Sequence, residues 1–313
     1  MNNNKNATAQ TACTTHIILA CDESGAKGYA DRDEVTPGET GVLAGLLVPA
    51  DHLQAVAPDF DAIAHKYASD DGKLHITDLP PDRQQTLRDD MYALIRKHKI
   101  PCFYEAIHVA GFHRAYKERE ELMDQTRTAK RSPIKMGSPR TVAASLHAAL
   151  FQGLYGKVIA FCLEREQLRL HIEVRTDRVD SPLVKDFEET AKDLLDFGAK
   201  IRRVTGFDPV SKQVVKGSIE IGTVPSDAQI PVVVEHLEIK VVDDSDGLVV
   251  AADVLANSLD YLFRTRSPQE RYRALNDPEA FKNHPLRDCL DSFRRWDGYN
   301  FTDCFYAHPL DPA

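Results

Sequence analysis

Residues 245 to 263, SDGLVVAADVLANSLDYLF, constrain the fold more than any other stretch. Read as a helix, the segment is apolar nearly all round, and Asp253 is the only ionisable residue between Asp246 and Asp260. A helix without a broad polar face has to be enclosed by other elements. With 313 residues and 42% hydrophobic content, the chain can build a core of that size. A carboxylate carried into such a core is costly unless it meets a partner, a metal or a cleft, which makes Asp253 a candidate functional acid. The plainer reading places it on one solvated stripe with Asn257 and Asp260.

The rest of the chain alternates between apolar runs and helical periods. Residues 16 to 22, 41 to 49 and 102 to 109 read as buried strands, and 81 to 98 as a helix with Leu87, Met91, Leu94 and Ile95 on one face. Between 140 and 166, Val142, Leu146, Leu150, Leu154 and Ile159 recur at helical spacing, although Gly153 and Gly156 weaken the middle. The segment 168 to 177 alternates, with Leu170, Ile172 and Val174 on one side and His171, Glu173, Arg175 and Asp177 on the other. A helix is predicted over 182 to 197, started by Ser181 and Pro182; strands follow at 213 to 221 and 232 to 242, then a helix over 246 to 263. This order predicts an α/β fold, a mixed sheet flanked by helices. The polar residues 1 to 15 read as a disordered tail, 16 to 264 as one domain, and 265 to 313 as a short extension packed on it.

Several classes of function are disfavoured. No run approaches eighteen apolar residues and the N-terminus has no leader pattern, so a cytoplasmic protein without a membrane span is expected. The six cysteines form no CxxC pair, which argues against a zinc site or a disulfide framework. His75, His108 and His113 match no standard zinc spacing and read as structural histidines. Neither a GxxxxGK[ST] loop, a strand-linked GxGxxG nor a GxSxG elbow occurs, and no duplicated half supports an ATP-handling machine. A net charge of −9 confines any nucleic-acid contact to a local patch. Residues 127 to 140, RTAKRSPIKMGSPR, offer one: Arg127, Lys130, Arg131, Lys135 and Arg140 in a loop without acids, suited to track a phosphate backbone or simply to be solvated.

Two further acids close strands. IILACDESG at 17 to 25 ends an apolar run in Asp22 and Glu23, and Asp177 ends the alternating strand before Arg178 and Asp180. A carboxylate at a strand end is held rigidly at the sheet's rim, where it either caps a turn or ligates a metal. Asp22, Asp177 and Asp253 together suit Mg²⁺ or Mn²⁺, hard cations that take oxygen ligands. A pair of such ions would suit hydrolysis of a phosphodiester.

The segments CDESG at 21 to 25, VLAGLLVP at 42 to 49, KLHITDL at 73 to 79, IEVRTDR at 172 to 178, and DDS with AADVLA at 243 to 256 resemble, in order, those of the domain of unknown function 3800 family. That resemblance implies a ribonuclease H-like domain over 16 to 264 and a nuclease that hydrolyses RNA, DNA or a hybrid. It carries over Asp22, Asp177 and Asp253 as catalytic metal ligands, with Asp22 bridging; Glu23, next to Asp22, is a further candidate metal ligand. It also suggests an alternative: a catalytically impaired component that binds nucleic acid or protein within a multi-protein system of phage defence or mobile elements. Lys73 stands where many members have Glu, and Val250 where many have Gln. Glu23, Glu105, His75 and Asp78 are the residues that would compensate for the lost acid.

Overall fold

The computed structural model describes residues 13–69, 74–128, 135–136, 143–177, 179–196, 198, 200–222, 225, 229–243, 245–290 and 300–312. Two apolar runs, β1 (Thr15–Gly25) and β2 (Thr40–Pro49), pair antiparallel, and β2 pairs antiparallel with β3 (Cys102–His108). On the other side of β1, β5 (Arg169–Thr176) and then β8 (Val233–Val241) run parallel to it, giving the order β3-β2-β1-β5-β8. The expected α/β fold with a mixed sheet flanked by helices is therefore present. A second sheet, ordered β4-β6-β7, joins β4 (Lys135–Met136) to the hairpin β6 (Lys200–Asp208) and β7 (Gln213–Ile221).

Side-chain alternation gives the central sheet two apolar faces. Ala20, Val42, Ala44 and Leu46 pack on one side beneath α1 (Leu53–Tyr67), α2 (Pro81–His98) and α6 (Gly247–Arg264). Leu19, Leu43, Phe103, Ile172 and Val174 pack on the other beneath α4 (Leu146–Glu164) and α5 (Ser181–Leu194). As the composition of α6 requires, most of its residues are buried, and its start is fixed by Asp246, whose Oδ1 accepts from the backbone N–H groups of Leu248 and Val249. Leu275, Phe281, Leu286 and Leu290 of the C-terminal extension enter the same core.

Several local expectations need correction. The helices α1 and α3 (Val109–Thr128) and the strand β6 had no counterpart in the sequence reading. α1 contains Pro58 in its interior, a helix-breaking signal that packing overrides, and β6 (KIRRVTGFD) has no period-two apolar pattern, its apolar residues falling at 201, 204 and 207. The α5 cap is Asp180, which accepts from the Leu183 N–H, rather than Ser181. Among the described residues, one helix, α4, is long and apolar enough to cross a membrane by length and composition; its buried side chains pack against the sheet and α5.

Candidate functional site

β1 and β5 run parallel, and Ala20 lies level with Arg175 in their register. Two residues further along each chain come Asp22 and Asp177, near enough for Asp177 to act on the Asp22 carboxyl. Asp177 follows the last residue of β5 as expected, whereas Asp22 does not end its strand: β1 runs on to Gly25, and Asp22 still pairs with Ala44 of β2. That end of a sheet is where α/β proteins commonly bind ligands. Asp22 shares the face of Ala20, the side covered by α6, while Glu23 points to the α4 side. The chain can turn directly after these acids because Gly25 adopts φ +83° and a Cβ there would collide with the Thr40 carbonyl oxygen.

Asp253 reaches the rim from α6. Its Oδ2 accepts a hydrogen bond from the Ile76 N–H at 3.1 Å, with His75 Nδ1 4.0 Å away, so the segment after residue 73 docks on this carboxylate. Burial, the backbone hydrogen bond and the neighbouring acids leave the Asp253 carboxyl at about 6. Asp22 is 5% exposed, and burial, then Asp253, Glu23 and Asp177, raise its carboxyl well above the ordinary range. Asp177 thus raises the carboxyls of both Asp22 and Asp253, and Asp253 raises that of Asp22. Hard oxygen donors that repel one another in a buried rim fit Mg²⁺ or Mn²⁺ by donor chemistry. Among the described residues, however, the three-residue ligand group with all donor atoms within 4.8 Å of one another is a different one: His171, His236 and Glu238.

Glu23 has its own partners. Burial alone would raise its carboxyl, but Lys27 Nζ at 2.7 Å and His147 Nε2 at 3.7 Å hold it at about 2. Lys27 and His147 escaped the sequence reading; the available signals were a lysine four residues after the acid and a histidine in the first turn of an apolar helix. Ser24 donates to Asp260 Oδ2 at 3.5 Å, and Asp260 pairs with Arg264 at 2.8 Å, while Asn257 accepts from Arg88. The polar stripe of α6 is therefore partnered within the protein rather than simply solvated.

The remaining candidates separate. Glu105 lies on the α4 side of β3 with Lys157 2.8 Å away, so it does not join the aspartates, and Asp78 is exposed. His108 Nε2 bonds the Arg273 carbonyl and His113 Nδ1 the Ala30 carbonyl, both structural contacts. Val250 is buried in the α6 core, and Lys73 lies outside the described residues. The basic stretch is not one continuous loop: Arg127 belongs to α3 and Lys135 to β4, which pairs with β6, whereas Lys130, Arg131 and Arg140 lie outside the described residues. No protein-family model matches the chain, and no curated protein matches it.

Proposed function

We propose that the protein is a cytoplasmic divalent-metal-dependent nuclease or related phosphodiesterase, of the ribonuclease H-like kind that the resemblance to the domain of unknown function 3800 family implies. The observation that carries this reading is the placement of Asp22 in β1 beside Asp177, the residue that follows the adjacent parallel strand β5, with Asp253 of α6 near enough to raise the Asp22 carboxyl. Mg²⁺ or Mn²⁺ held by these three carboxylates would supply Lewis-acid charge for phosphodiester hydrolysis. The Ile76 N–H orients Asp253, and burial keeps bulk water from screening the acids. Lys27 and His147 engage Glu23 on the opposite side, leaving the aspartates as the donors that face α6. Arg127, Lys130, Arg131, Lys135 and Arg140 are the cations proposed to hold the RNA, DNA or hybrid strand.

Purified protein is expected to cleave one of these substrates with Mg²⁺ or Mn²⁺. Asp22→Asn and Asp253→Asn should each lower the rate by more than roughly 100-fold while the circular dichroism spectrum is unchanged. Activity retained in both variants would overturn the assignment. A second reading, a non-catalytic component that binds nucleic acid or a protein partner, is favoured by the three aspartates not forming a ligand group within 4.8 Å among the described residues. It requires binding of the partner to be equally strong in chelator.

A further inference from the structure

The register of three parallel strands gathers histidines that are far apart in sequence. His16 on β1 lies level with His171 on β5, and His171 lies level with His236 on β8. Alternation sends all three away from the apolar side occupied by Leu170, Ile172 and Leu237, and brings Glu238 to the same face two residues beyond His236. α6 packs over β1 and β2, and His236 is exposed, so solutes can reach this outer part of the sheet. The ring of His16 stacks on that of His171 with centroids 4.1 Å apart and planes 9° from parallel; the His171 and His236 rings meet edge to face at 4.5 Å.

We propose that His171, His236 and Glu238 bind a zinc-class divalent cation on the open face of the sheet. One donor atom from each of the three lies within 4.8 Å of the others, close enough for small rotamer changes to bring them onto one ion. Two imidazole nitrogens and a carboxylate suit Zn²⁺, Co²⁺ or Ni²⁺ far better than Mg²⁺, and three protein donors leave a position for water or another ligand. His16 acts as a positioning residue, since its stacked ring limits the orientations open to His171. Lys240 Nζ contacts Glu238 Oε2 at 3.3 Å and Glu173 Oε2 at 2.7 Å, which holds the Glu238 side chain on this face.

This site is separate from the acidic rim. Asp177 lies six residues beyond His171, about 20 Å at the rise of an extended strand. A cation here would cross-link β5 to β8, the edge strand of the sheet.

The test is calorimetric titration of the full chain with Zn²⁺, together with visible absorption after adding Co²⁺. One equivalent is expected to bind, to give ligand-field bands of a nitrogen and oxygen site, and to raise the melting temperature. Asp22→Asn and Asp253→Asn should retain it. His171→Ala and His236→Ala should weaken binding by more than roughly tenfold, and Glu238→Gln, which preserves shape, should weaken it too. Unchanged affinity in His236→Ala and Glu238→Gln would overturn the site, as would absence of Zn²⁺ binding by the folded wild-type chain. His236 is exposed, so its variant should remain folded, and a thermal melt checks this.

Discussion

Asp22 on β1 and Glu105 on β3 are both buried carboxylates of the central sheet, and they are treated in opposite ways. Glu105 is fully buried, but Lys157 from α4 comes within 2.8 Å, and Gly153 leaves room for it: a Cβ at that position would collide with the Glu105 carboxyl. Burial raises the Glu105 carboxyl and Lys157 opposes the rise. Around Asp22, burial is reinforced by Asp253, Glu23 and Asp177. One acid is completed by a cation encoded in the chain, whereas the other is surrounded by more acids. The difference separates a carboxylate whose charge the chain itself balances from one whose charge its neighbours disfavour.

The contrast can be broken most forcefully at Lys157. Replacing it with Met should leave Glu105 buried without its cation and lower stability by about 3–5 kcal/mol in urea denaturation. A loss under about 1 kcal/mol would mean that the pair is not structural. Asp22→Asn should act with the opposite sign in chelator, raising stability by about 1–2 kcal/mol, because it removes a buried charge repelled by its neighbours. A destabilised Asp22→Asn variant in chelator would erase the distinction.

Acid titration of stability in chelator sharpens the comparison further. The Asp253 carboxyl is raised from 3.8 to about 6, so its stabilising contribution is present below 3.8 and is lost as pH rises through 6. Buried His108 and His284 run the other way: burial first lowers each from 6.5 to about 4, so their contribution is present above 6.5 and is lost as pH falls towards 4. Between these limits the acid offsets part of the histidine loss. Asp253→Asn should therefore show a steeper decline as pH falls from 6 to 4, by on the order of 1 kcal/mol, in denaturation midpoints measured across that range. Parallel curves for the variant and wild type would count against a raised Asp253. The smallest effect is expected for Lys27→Met. Its ion pair with Glu23 is largely solvated on the lysine side, and the melting curve should show a change under about 1 kcal/mol.

Local pattern made much of the sheet legible. The apolar runs of β1, β2 and β3 and the alternation of β5 announce strands because side chains repeat every two residues, and the α6 segment announces burial because it lacks a polar face. α1 was hidden by Pro58, and β6 by the lack of any period-two apolar pattern. The acids near strand ends were visible one by one, but whether each has a partner was not. Glu105 could stand beside the aspartates as a candidate until β3 and α4 fixed it against Lys157 on the other face.

The sequence by itself determined the α/β class and the identity of the strands that lead into the acids, since both follow from hydrophobic periodicity over a few residues. Only the tertiary structure decided that Asp22 and Asp177 stand side by side, that Asp253 arrives from a distant helix, and that His171 and His236 share a face. Those relations depend on strand register and helix placement. They are set by hydrogen bonding and core packing between segments dozens of residues apart, to which no local pattern is sensitive.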